Sequence, residues 1–181
     1  MMDLFSFLNY MFCQDSEACR QQLNTQTFSV VPLDNQYGLI EWVENHEVLK
    51  SCIMKTYLSH SIEGLPEKQL QSLMTCQSNL TREQRIHIFE NQVLSAFPPI
   101  LSKWFSSHFP HPMQWFAARA AFAKALAVMS IVGFVIGLGD RHGENILLNK
   151  DTGSVLHVDF SSLFEASTRL QIPERVPFRL T

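Results

Sequence analysis

Asp140, Asn145 five residues later and Asp159 fourteen residues beyond that are the groups in this 181-residue chain best suited to chemistry. They lie in Gly139-Asp140-Arg141-His142-Gly143-Glu144-Asn145 and in His157-Val158-Asp159-Phe160. A carboxylate can orient a hydroxyl or accept its proton. A carboxamide oxygen and a second carboxylate are hard ligands suited to Mg²⁺ beside phosphates. Such a set fits phosphoryl transfer from ATP, where positioning and charge neutralisation supply most of the catalysis. Asp140 is therefore assigned to the attacking hydroxyl, and Asn145 and Asp159 to the metal. His142 could stabilise the transferring phosphoryl group or assist proton transfer; the plainer alternative is a loop histidine bonded to a carbonyl. His157 reads as a structural histidine on a strand. Arg141 either pairs with a carboxylate to fix the loop or is solvated.

These groups need a fold to bring them together. Residues 113–137 read as the longest helix, Ala-rich and increasingly apolar toward a loop holding Gly137, Gly139 and Gly143. Residues 146–148 and 155–158 flank Asp151-Thr152-Gly153, a hairpin signal that would return Asp159 beside Asn145. Upstream, Leu4, Phe7, Leu8, Met11 and Phe12 predict a helix over residues 3 to about 23. Residues 28–33 and 39–43 read as strand, turn, strand or as extended linker. Residues 47–58 read as a helix, and 63–79 as irregular with a short helix after Pro66. Thr81 caps a helix running to about residue 96, residues 100–109 resume it, and 160–181 read as turn and loop.

Composition narrows the class. Hydrophobic residues make up 46% and charged residues 17%, which suits about one folded domain rather than a disordered chain. The net charge of −3, with no basic-aromatic stripe, argues against direct nucleic-acid contact by this segment. Cys13, Cys19, Cys52 and Cys76 lack zinc-ligand spacing and read as free thiols. The uncharged run 125–138 is too short to span a membrane and suits a buried helix.

Gly-Leu-Gly-Asp-Arg-His-x-x-Asn followed by His-Val-Asp-Phe resembles the phosphatidylinositol 3-kinase-related protein kinases. Val176-Pro177-Phe178-Arg179-Leu180-Thr181 is similar to the end of their activation segment. The likeness extends to Val31-Pro32-Leu33, to Gly38-Leu39-Ile40-Glu41-Trp42-Val43 and to Ala127-Val128-Met129-Ser130-Ile131-Val132-Gly133, and is weakest over 63–79. Within the family it points to the checkpoint kinases of the DNA-damage response. The resemblance implies an α+β, protein-kinase-like fold of the PI3/PI4-kinase type, mostly the helical C-lobe. Residues 1–38 would end the N-lobe, 39–44 would be the hinge and 45–181 the C-lobe through the activation segment.

It further implies that Ile40, Glu41, Trp42 and Val43 bind adenine, the backbone by hydrogen bonds and Trp42 as a wall, with Leu147 and Val158 beneath the base. The cofactors would be ATP with Mg²⁺ or Mn²⁺, the substrates proteins carrying Ser or Thr before Gln, and the location nuclear. A regulatory partner is expected for the full-length protein, and no membrane. The family's glycine-rich loop and ATP-binding lysine have no counterpart among these residues, so the chain is expected to be a fragment truncated at both ends and inactive alone. A phosphoinositide lipid kinase is the main alternative. Arg169, Arg175 and Arg179 are dispersed among Glu165 and Glu174 rather than clustered for inositol phosphates, which argues for a protein kinase. A non-catalytic kinase fragment is the third reading.

Overall fold

The computed structural model describes residues 1–75, 80–164 and 166. The expected activation segment therefore falls mostly outside the described residues, as does Cys76. The chain forms two compact units, residues 1–51 with 105 onward, and residues 52–104.

In the first unit, α1 (Met2–Gln14) and α2 (Ser16–Gln21) replace the single helix expected over residues 3–23. Asp15 makes the break. Its backbone is extended and its side chain accepts from the N–H groups of Glu17 and Ala18 at 3.0 and 2.8 Å, which caps a new helix instead of continuing the old one. Asn9 binds the backbone of Thr25 in both directions, at 2.9 and 2.7 Å, and so ties the following segment back to α1. The expected strand pair forms: β1 (Val30–Pro32) runs antiparallel to β2 (Gly38–Ile40), with Val31 opposite Leu39.

A second sheet has the order β3 (His46–Val48), β4 (Ile146–Asn149), β5 (Val155–His157), all antiparallel. Here the structure departs from the expected helix over 47–58. Glu47 and Val48 extend and pair with Leu148 and Leu147, and the helix α3 begins only at Leu49 (Leu49–Ser59). The partner strand lies about a hundred residues downstream, so the local sequence gave no sign of it. The β4–β5 turn follows the Asp-Thr-Gly signal. Asn149 Oδ1 accepts from the Asp151 and Thr152 N–H groups, and Gly153 takes φ +71°.

The helix α7 (Pro112–Val135) packs against β5 within the first unit. Toward its C-terminal end Val128, Met129 and Val132 pack with Phe5 of α1 and with Phe160, whose ring meets Phe5 edge-on at 5.2 Å. Among the described residues α7 alone is long and apolar enough to cross a membrane. Its buried Ala118, Leu126, Met129 and Val132 fit a core helix.

The unit of residues 52–104 is helical. It holds α4 (Glu67–Thr75) and α5 (Arg82–Ile88), which passes into a π-helical turn at Phe89–Leu94. Thr81 and Gln84 form a reciprocal capping box. The Tyr57 hydroxyl donates to the Pro98 carbonyl at 2.7 Å. The helix α6 (Leu101–His108) begins in this unit, where it carries buried Trp104.

Candidate active site

The end of α7 aims the chain into the loop that bears the expected chemistry. Gly137 takes φ +59°, Leu138 N–H binds the Gly133 carbonyl at 2.8 Å, and Gly137 N–H binds Phe134 at 3.2 Å. This is a Schellman stop, which ends a helix abruptly because glycine adopts the left-handed conformation without steric cost.

Backbone bonds then place the loop beside the segment after β5. Gly139 N–H donates to the Ser162 carbonyl at 2.9 Å, and Val158 N–H donates to the Asn145 carbonyl at 3.0 Å. Asp140 and Asp159 both have left-handed backbones, at φ +59° and +55°. Aspartate is one of the few non-glycine residues enriched in that conformation, which remains a minor one for it. The Asn145 amide donates through Nδ2 to the Asp140 carbonyl at 2.8 Å. That leaves its Oδ1 as the group able to hold a cation. Glu144 N–H donates to His142 Nδ1 at 3.2 Å, so a neutral His142 carries its proton on Nε2, which stands 3.8 Å from Asp140 Oδ1. The loop is also tied to the start of α3. Lys50 N–H binds the Gly143 carbonyl at 2.9 Å, and Lys50 Nζ pairs with Glu144 at 2.8 Å.

Asp159 is exposed, and hydrogen bonds from Ser161 hold its carboxyl below the ordinary carboxylate value, with Arg141 and His142 adding to the effect. Ser161 stands where many kinases have glycine after Asp-Phe. Its backbone N–H reaches Asp159 Oδ1 at 3.1 Å. Arg141 is buried and its guanidinium binds main-chain carbonyls: Gly139 through Nε at 2.9 Å, Val158 through Nη1 at 2.8 Å, and Asp159 through Nη2. The solvated alternative for this residue therefore falls. His157 is buried on β5, and burial first, then the Arg141 charge, pushes its imidazole down to about 4.

A pocket of about 300 Å³ opens beside this loop. Ile40, Glu41, Trp42, Val43, Leu147 and Val158, the six residues expected to hold the nucleotide base, all line it, and Asp159 joins them. Trp42 is 87% exposed, which rules out an ordinary core aromatic. Glu41 is fixed to Ser29 twice, by its own N–H to the Ser29 carbonyl at 2.9 Å and by its carboxylate from the Ser29 N–H at 2.7 Å. Among the described residues, no backbone hydrogen bond occupies the Glu41 carbonyl or the Val43 N–H. An apolar slot with open backbone groups on one side and an ionised carboxylate at its rim fits an adenine nucleotide with a hard divalent cation. Phe28, His46 and Val48 also line the pocket and were not anticipated. Val48 was hidden in the expected helix, and no local motif marks Phe28 or His46.

The profile of the phosphatidylinositol 3- and 4-kinase family matches residues 1–181, and the chain belongs to that family. Curated relatives that it matches over almost its whole length include protein kinases. It is 42% identical to the serine/threonine-protein kinase MEC1 of Eremothecium gossypii over 99% of the chain, and 39% identical to the protein kinase rad3 of Schizosaccharomyces pombe over 100%. It is also 39% identical to the serine/threonine-protein kinase ATR of Oryza sativa subsp. japonica over 100% of its length. The chain spans 8%, 8% and 7% of these relatives. Among solved structures, the FAT and kinase domain of CtTel1 superposes with a TM-score of 0.87 at 34% identity, over 100% of this chain and 13% of that one. The Tel1 kinase butterfly symmetric dimer gives 0.86 at 34%, over 100% and 8%. The fold is thus that of a PI3/PI4-kinase catalytic domain, mixed helix and sheet but mostly helical, in a family that uses ATP and a divalent metal.

Proposed function

We propose that this segment is the catalytic core of a serine/threonine protein kinase of the ATR, Mec1 and Rad3 type. One observation carries the reading: a single pocket gathers the hinge residues Ile40, Glu41, Trp42 and Val43 from one end of the chain with Leu147, Val158 and Asp159 from the other. Adenine binds against Trp42 with its polar edge on the Glu41 carbonyl and Val43 N–H. Asn145 Oδ1 and the Asp159 carboxylate hold Mg²⁺, which when bound neutralises charge on the phosphates. Asp140 orients the substrate hydroxyl and accepts its proton, and the Nε2 proton of His142 donates toward the transferring phosphoryl group. The substrates are proteins with Ser or Thr followed by Gln. The setting is nuclear DNA-damage checkpoint signalling, with a regulatory partner of the ATR kind bound by the full-length protein.

The test is Asp159→Ala and Asp140→Ala in the intact protein. Asp159→Ala abolishes phosphorylation of a Ser-Gln peptide while metal-free nucleotide binding persists. Asp140→Ala lowers kcat by about a thousandfold with a much smaller change in ATP affinity. Retained turnover in Asp159→Ala would remove the metal assignment. Equal loss of ATP binding in Asp140→Ala would make Asp140 a structural or metal group.

A further inference from the structure

Resting on that reading of the site, we infer that Arg141 is a positioning residue: its guanidinium clamps the carbonyls that flank Asp140 and Asp159 and so holds both aspartates for metal and substrate. The three acceptors are not scattered. Gly139 directly precedes Asp140, Val158 directly precedes Asp159, and the third is the carbonyl of Asp159 itself. Both aspartates have left-handed backbones, a minor conformation even for aspartate. One side chain thus binds beside each of these two residues and spans the segments that carry them.

The chemistry explains why arginine suits the position. A guanidinium presents five N–H donors in a fixed plane, so it can bind several carbonyls at once with little further ordering. A lysine ammonium is a compact charge on a flexible stem and cannot reproduce that fork. Arg141 is 5% exposed, and its guanidinium carbon lies 5.8 Å from the centre of the Phe160 ring, so packing also restrains it. Positioning residues of this kind control how well metal ligands grip without touching the metal.

The test uses Arg141→Lys and Arg141→Gln in the intact protein, with rates expressed per nucleotide-binding molecule. For both variants the Mg²⁺ concentration giving half-maximal rate at saturating ATP should rise about tenfold or more, and kcat should fall by a similar factor. Binding of a fluorescent ATP analogue in EDTA should stay within about threefold of the parent, because the clamp binds Val158 and Asp159 on one side of the base pocket and not the 40–43 stretch that holds the base on the other. An unchanged Mg²⁺ requirement in Arg141→Lys overturns the inference. Loss of metal-free nucleotide binding in both variants overturns it too, since Arg141 would then support the whole cleft rather than the two aspartates. Asp159→Ala, run alongside, separates the inference from the reading beneath it. If Asp159→Ala remains active, the site assignment fails; if it is dead while Arg141→Lys has an ordinary Mg²⁺ requirement, only the role of Arg141 fails.

Discussion

Acidification should loosen β5, the strand two residues ahead of Asp159, because His157 is buried uncharged. Its ring is 4% exposed, and neither Nδ1 nor Nε2 has a hydrogen-bond partner. Protonating it in place would put a second cation near Arg141 without an acceptor for either proton. The imidazole falls from 6.5 to about 4. When β5 opens, the ring regains its ordinary affinity for protons, so the opened state binds more protons than the closed one between these values. The stabilisation is therefore present above pH 6.5 and is lost progressively as the pH falls toward 4. At about 1.4 kcal/mol per unit the full window amounts to about 3 kcal/mol. Between pH 7.5 and pH 5 the loss is about 2 kcal/mol, equivalent to about thirtyfold more frequent opening. Hydrogen–deuterium exchange of the peptide containing β5 in the intact protein, corrected for intrinsic exchange, measures this directly. His157→Gln should remove the pH dependence. A wild-type protein with flat protection over this range, or a His157→Gln variant with the same rise in exchange, would refute the argument. Asp159 acts below this window, because its own value is lowered from 3.8.

Two further outcomes follow from packing and exposure. Gly153→Ala should destabilise the first unit by about 2 kcal/mol or more, seen as a lower melting temperature and faster exchange in β4 and β5. The added carbon would lie 2.9 Å from the Ala118 Cβ and carbonyl oxygen and from the Phe105 ring, at a backbone φ of +71°. No measurable loss would mean that this turn yields where its contacts imply it cannot. Trp42→Ala should leave stability within about 0.5 kcal/mol, because the side chain is 87% exposed. Removing an aromatic wall from a nucleotide base costs about 1–2 kcal/mol, so the KM for ATP should rise about tenfold. An unchanged KM would place the base elsewhere.

Much of the architecture was legible from local sequence. The apolar spacing of Leu4, Phe7 and Leu8 gave α1, the Ala-rich run gave α7, Thr81 gave a capped helix, and Asp151-Thr152-Gly153 gave the β4–β5 turn. Each signal acts over a few residues, through helix periodicity, capping or turn conformation. The departures came where another interaction won. Asp15 broke a helix expected to run on to about residue 23, since its carboxylate accepts two N–H groups at once. Val48 entered a strand because Leu147, far along the chain, offered a ladder partner. Phe28 and His46 also line the pocket, and no local motif marks either of them.

The sequence by itself marked candidates for the chemistry, two aspartates, an asparagine and a histidine, and its family resemblance marked residues 39–44 as an expected hinge. Only the tertiary structure decided that residues 40–43 and 158–159 border one pocket, that Arg141 spends its donors on main-chain carbonyls, and that His157 is uncharged. Spacing fixes what neighbours in the chain can do. Burial, charge and hydrogen-bond partners are set by whichever distant segment packs alongside, and those are properties of the folded chain.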